Sequence, residues 1–213
     1  MIYDAIMRVP YLSWVIFCTS VQSVGLVQYF NTASLDWHSA MHVVMCITTI
    51  ISLALFAFMV IVRTRPSAKA SGVEPRVSAL AGSLLVYGIV LFPRHDLSPL
   101  AESFAILLAV VGSTGATIAL WQLGRSFSIM AESRKLVTTG PYRFVRHPLY
   151  VTEELMMIGV FIQFASVWTA LIFAAHVAFQ LRRICNEEAI LSTSFPEYEA
   201  YRKRAARLIP GLY

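Results

Sequence analysis

The sequence predicts an all-α fold, a polytopic membrane helix bundle of about six transmembrane helices. The last two form a tight hairpin, and a polar loop and short C-terminal helices gather on the cytosolic side. Three observations carry this reading. Apolar residues make up 57% of the 213 and charged residues only 14%, against about 25% charged in an average soluble domain. The mean hydropathy is +0.66, and the apolar residues are collected in runs, of which roughly 20 residues suffice to cross a hydrocarbon core. Finally, the basic residues fall almost entirely on one side of the succession of runs.

The first apolar run covers residues 11–30. Asp4 and a single basic residue, Arg8, precede it and no small-residue cleavage site follows, so it reads as a first transmembrane helix rather than a signal peptide. The second run covers 40–62 and the third 77–92, close to the lower limit for a perpendicular span. Between them R-T-R-P-S-A-K-A-S-G-V-E-P-R has the Pro, Gly and Ser content of a loop. The fourth run covers 99–123. A fifth stretch, 151–181, is too long for one crossing, and a break at 163–166 divides it into two helices of about fifteen residues. From Asn186 onward the chain is charged, and Phe195-Pro196 splits it into short helical pieces. Residues 1–123 thus form four N-terminal spans, and 124–213 hold the chemistry-bearing residues.

Six crossings place every basic residue except Arg94, 16 of 17 in all, on one face. Lys and Arg are retained on the cytoplasmic side, so both termini and the loop after the fourth span are expected in the cytosol, under a bacterial inner membrane or endoplasmic reticulum. The net charge of +5 follows from this asymmetry and from anionic headgroups. No recognition element accompanies the basic residues, which excludes nucleic acid as a partner. Cys18, Cys46 and Cys185 have no metal-ligand spacing and no disulfide pattern, and are expected to be buried packing residues.

The polar stretch L-V-T-T-G-P-Y-R-F-V-R-H-P-L-Y, residues 136–150, lies between apolar helices. Its backbone groups would go unsatisfied in lipid, so it folds onto the protein or into the interface. Gly140-Pro141 sets a sharp turn. Pro148 pushes His147 out of the helical region and opens the next helix, whose free N–H groups and positive dipole end suit an anionic group. Tyr142 and Tyr150 can stack on a planar ring or bond a ribose. Farther on, Arg183 and Glu187 are four apart on one helical face at the membrane boundary, with Glu188 beside them, where ionisable residues are functional by default.

Blander roles fit other polar residues. Glu102, Glu153 and Glu154 fall in first turns, where acids favour the helix dipole. His176 and Gln180 suit interhelical hydrogen bonds, Arg182 suits headgroup contact, and His38 and His42 flank the second span at its non-cytoplasmic end. Met156, Met157, Phe161, Phe164, Trp168 and Phe173 are packing or lipid-facing residues.

The 136–150 string, followed by R-R-I-C-N-E-E-A-I-L-S-T-S-F-P-E-Y-E-A-Y and R-L-I-P-G-L-Y, resembles the isoprenylcysteine carboxyl methyltransferase superfamily. These integral membrane enzymes include phospholipid N-methyltransferases and small-thiol S-methyltransferases. The resemblance covers about the last ninety residues; earlier residues match only as hydrophobic spans. It implies an S-adenosylmethionine pocket, releasing S-adenosylhomocysteine, with cofactor contacts from Leu136, Val137, Tyr142, His147, Pro148, Leu149 and Tyr150. Arg134 and Lys135 join this set, Arg134 standing where the carboxyl methyltransferases have a histidine. Arg183 and Glu187 match the substrate-side pair, with Glu188 adjacent, and these three are the expected catalytic residues. Arg183 would hold an attacking carboxylate by bidentate hydrogen bonds, and Glu187 would orient Arg183 or accept a proton.

The expectation is therefore an S-adenosylmethionine-dependent membrane methyltransferase acting on a lipophilic acceptor, with no metal. An isoprenylcysteine-type carboxylate leads, and a phospholipid amine and a small thiol are the alternatives. A non-methyltransferase, reductase-like relative that keeps the fold is the rival from another class. The oligomeric state is open.

Overall fold

The computed structural model describes residues 2–32 and 37–211, and the side chains of 12–31, 37 and 39–211. Asp4, Arg8 and His38, given topological roles above, lie outside the described side chains. The chain is an all-α membrane bundle. Helix α1 runs Ile2–Thr32, α2 Trp37–Val62, α3 Glu74–Leu84, α4 Pro99–Leu123, α5 Pro148–Gln163, α6 Val167–Ser194 and α7 Tyr198–Arg202. Segments 39–62, 74–91 and 99–126 are long and apolar enough to cross a membrane.

Local chemistry sets the boundaries. Ser98 caps α4 by accepting from the Ala101 N–H at 3.3 Å, Pro99 follows at a position that needs no N–H, and Gly124 ends the helix at φ 51°. His147 sits at φ −126°, ψ 56°, outside the helical region as Pro148 requires, and α5 begins at that proline. Ser166 and Thr169 form a reciprocal capping box that starts α6.

Two expected segments come out differently. The third apolar run is an α-helix only as far as Leu84 and continues as a 3-10 helix over Leu85–Leu91. The tighter winding rises about 2.0 Å per residue instead of 1.5, so this short run still reaches across roughly 30 Å. The second arm of the hairpin is 28 residues and not about fifteen. No breaker lies between Ser166 and Phe195, so Arg182 to Glu188 are carried on the motif-end extension of α6 itself. Its partner α5 keeps the expected length, 16 residues. The hairpin turn meets the loop beyond α3, His95 N–H donating to Gln163 O at 3.0 Å.

Small residues let α4 and α5 touch. A Cβ on Gly112 would lie 2.5 Å from Met156 N, and one on Gly159 2.5 Å from Ala105 O. Helices α2 and α4 are joined by hydroxyls: Ser52 Oγ donates to Ser113 O at 2.6 Å and Ser113 Oγ to Thr48 Oγ1 at 2.9 Å. At the end opposite the motif loop, Glu102 of α4 accepts from Arg94 at 2.7 Å and pairs with His42 of α2 at 3.2 Å.

At the motif end two short strands, β1 (Ala68–Lys69) and β2 (Glu132–Ser133), pair antiparallel and fasten the 63–73 linker to the chain after α4. The cysteines depart from expectation: Cys46 is buried, but Cys185 is exposed on the outer side of α6.

Candidate active site

The 136–150 stretch folds into a shell held by the C-terminal tail. Gly140 takes φ 61°, which starts a 3-10 turn over Gly140–Arg143. The tail then zips onto the motif: Arg146 N–H donates to Ala206 O at 2.8 Å, His147 N–H to Arg207 O at 3.3 Å, and Ala206 N–H to Phe144 O at 3.0 Å. Tyr201 of α7 donates its hydroxyl to Tyr142 O at 2.7 Å, and its burial pushes the phenol up to about 12.

Inside this shell lies a cavity of about 100 Å³ that opens outward. Arg134, Lys135, Leu136, Val137, Tyr142, His147, Leu149, Tyr150 and Glu187 line it. The structure thus gathers the expected cofactor residues around one space. Pro148 stands behind it, opening α5. Arg134 reaches it from a bound position: Nε donates to Thr64 O at 2.7 Å and Nη2 pairs with Glu132 at 2.7 Å. The His147 and Tyr150 rings stack with centroids 5.6 Å apart. Tyr142 is buried, and its hydroxyl has no hydrogen-bond partner. Burial, followed by the negative charges of Glu187 and Glu153, pushes that phenol well above its ordinary value, so it stays a neutral donor.

The two glutamates of the R-R-I-C-N-E-E string part company. Glu187 accepts from the Tyr150 hydroxyl and pairs with Arg183 at 3.4 Å. Glu188 turns to the motif loop and tail, meeting Arg146 at 2.8 Å, His147 at 3.2 Å and Arg207 at 3.2 Å. Burial alone would raise the Glu188 carboxyl, but the hydrogen bonds and charges of His147 and Arg146 outweigh it and hold it at about 2. Glu188 thereby fixes the His147 ring and the tail rather than facing the cavity.

Arg183 is 4% exposed. Its guanidinium lies over the Tyr150 ring, 4.8 Å from the centroid, and Nη1 donates to Ser83 Oγ at 3.0 Å. Tyr150 borders the first cavity. Ser83 borders a second, of about 520 Å³, that runs among the apolar faces of α1 to α6. Arg183 lies behind both walls, touching Tyr150 of the first cavity and Ser83 of the second.

Several contributors went unread in the sequence. Ser128, Met130, Glu132, Arg146, Tyr198 and Tyr201 also line the first cavity. Arg146 lies inside the motif string and the tyrosines inside E-Y-E-A-Y, so the strings contained them, but their roles depend on the tail folding back. Glu153 and Glu154 were expected to favour the dipole of α5. Instead they face α6: His176 Nε2 lies 2.8 Å from Glu154 Oε1, and Gln180 donates to Glu153 at 3.4 Å. The expectation for His176 and Gln180, interhelical hydrogen bonds, is met by these contacts. Arg182, expected at the headgroups, pairs with Glu74 of α3 at 2.7 Å.

Residues 100–198 match the phospholipid methyltransferase family. The nickel-cobalt-cadmium resistance protein NccN of Alcaligenes xylosoxydans xylosoxydans is 34% identical over 110 residues, 49% of this chain and 51% of that protein. Protein-S-isoprenylcysteine O-methyltransferase of Schizosaccharomyces pombe is 36% identical over 116 residues, 51% and 49% of the two chains. The chain spans about half the length of these curated relatives. Protein-S-isoprenylcysteine O-methyltransferase A of Arabidopsis thaliana is 31% identical over 141 residues, which cover 62% of this chain and 72% of that one. The family match spans the motif loop, the hairpin and the α6 pair, and with the Arabidopsis relative covered to 72% the chain belongs to the isoprenylcysteine carboxyl methyltransferase superfamily.

Proposed function

We propose that this chain is an S-adenosylmethionine-dependent methyltransferase whose acceptor reaches the site from the membrane, with an isoprenylcysteine-type carboxylate as the leading acceptor. The observation that carries this reading is the place of Arg183, which stacks on Tyr150 of the polar cavity's wall and bonds Ser83 of the apolar cavity's wall. The side chains lining the polar cavity suit the cofactor's groups. Leu136, Val137 and Leu149 offer an apolar bed for a base, the stacked His147 and Tyr150 rings a planar face, and Tyr142 a buried hydroxyl with a donor to give. S-adenosylmethionine, when bound there, supplies a sulfonium methyl carbon that a nucleophile attacks in line as the carbon–sulfur bond breaks.

The residues of the chain do the rest by placement, which is what such a displacement chiefly needs. Arg183 offers a planar fork of donors to an anionic group arriving from the apolar cavity. Glu187 and the Tyr150 ring hold that fork in position. Glu188, Arg146 and Arg207 clamp the tail over the site and exclude water. A carboxylate acceptor brings no proton to remove, so this arrangement needs no general base. The matched families name a second acceptor, a phospholipid, and Glu153 in the apolar cavity favours examining its amine.

Calorimetry with S-adenosylmethionine on detergent-purified protein tests the reading. Wild type is expected to bind at micromolar Kd, with binding lost in His147→Ala and Tyr150→Ala. A folded wild type that binds NADPH and not S-adenosylmethionine would overturn it in favour of the reductase-like relative.

A further inference from the structure

Arg94 and Gln163 lie toward one end of the apolar cavity, and its motif-facing end is lined by ionisable and amide side chains. Glu153 lines it together with Ser83, Gln180 and His176. Gln180 links the group: its Nε2 donates to Glu153 Oε2 at 3.4 Å, and its Oε1 accepts from Arg183 at 3.5 Å. A Cβ on Gly82 would lie 3.0 Å from Gln180 Oε1, so α3 leaves just enough room for this amide. Beside them stands the His176–Glu154 pair at 2.8 Å. His176 is 3% exposed, and its Nδ1 is buried without a hydrogen-bond partner. The charged groups acting on Glu153 are Arg183, Glu154, His176 and Glu187.

A carboxylate inside the membrane layer is costly to keep, and the reading of Arg183 alone gives it no task. An acceptor head that is only anionic would meet Glu153 as a repelling charge, in a low-dielectric space where like charges cost most. A head that carries both an anion and a cation answers both walls. We propose that Glu153 is a specificity-determining residue that binds an ammonium group on the acceptor while Arg183 binds the anionic group next to it, so that the acceptor is a zwitterionic amphiphile. This rests on the acceptor entering through the apolar cavity, as in the function proposed above.

Two sources supply that chemistry: an S-alkylated cysteine with its free α-ammonium and carboxylate, and an aminophospholipid with its ammonium and phosphate. Each has an ammonium-free counterpart, N-acetyl-S-farnesylcysteine beside S-farnesylcysteine and phosphatidylglycerol beside phosphatidylethanolamine. Binding of the four to purified protein, measured without S-adenosylmethionine, separates the cases. At least one ammonium-bearing probe is expected to bind wild type about 10-fold tighter than its counterpart, a difference of about 1.4 kcal/mol. Glu153→Gln, which keeps the shape and removes the charge, is expected to erase that ratio, with S-adenosylmethionine binding unchanged. The preferred pair identifies the source. Equal binding within both pairs by wild type would overturn the proposal, and so would a ratio that survives in Glu153→Gln. Because the probes bind without cofactor, loss of methyl transfer alone would count against the methyltransferase reading and not against this one.

Discussion

Arg183 meets four groups of the site, Glu187, Ser83, Gln180 and the face of Tyr150. Arg183→Ala is expected to lower methyl transfer by about 100-fold, the scale seen when one positioned donor is removed, with cofactor affinity little changed; labelled methyl transfer in liposomes reads it. Arg183→Lys is expected not to restore the rate, because a point charge cannot reproduce the planar fork. Tyr142 predicts the opposite pattern. Its hydroxyl has no partner among the described residues, so Tyr142→Phe is expected to leave the melting temperature unchanged or higher. The same change would weaken S-adenosylmethionine binding by about 10-fold, the value of one buried hydrogen bond, as read by calorimetry. Glu188 brings a pH dependence whose sign follows from its depressed carboxyl. Its folded value is about 2 against an ordinary 4.5, so its contribution is complete above about pH 4.5 and is lost as pH falls toward about 2. The gap in melting temperature between wild type and Glu188→Gln should therefore narrow as the buffer is taken from about pH 6 to about pH 3.

The helices were legible as elements wherever a local signal marks them. Ser98-Pro99, His147-Pro148 and Ser166-x-x-Thr169 each start a helix through capping or proline geometry. What the pattern concealed was length and winding, since apolar periodicity looks alike in an α-helix and in the 3-10 continuation of α3. Contact between elements is decided by small residues that no hydropathy pattern singles out. Gly159→Val is expected to force α5 from α4, because its first added carbon would sit 2.5 Å from Ala105 O. Gly25→Ala, where nothing lies within 4 Å, should change little or stabilise slightly. The comparison of the two melting curves checks this, and equal losses would show that close helix approach is not what Gly159 provides.

Across the whole molecule the distribution of basic residues predicts the orientation. With the motif loop, the far end of α6 and the tail together at one end, the exposed Cys185 is expected to react with a membrane-impermeant maleimide only from the cytosolic side. In protein whose Cys18 and Cys46 are replaced by Ala, labelling of right-side-out and inverted vesicles decides it, and labelling from the outer side would reverse the proposed topology. The same orientation puts the polar cavity against water and the apolar cavity against lipid, so the two reactants would arrive from different solvents and meet at Arg183.

The sequence by itself determined the membrane class, the start of α5 at Pro148 and the superfamily, because hydrophobic mass, proline placement and the R-H-P-x-Y and R-x-x-x-E-E strings are properties of neighbours along the chain. Only the tertiary structure decided which of two adjacent glutamates faces the cavity, since successive residues on α6 point about 100° apart. It likewise turned Glu153 from a first-turn acid into part of a cavity wall, through a contact with Gln180 that lies more than twenty residues away. Such contacts arise where helices cross, and a linear pattern carries the face of each helix but not which faces meet.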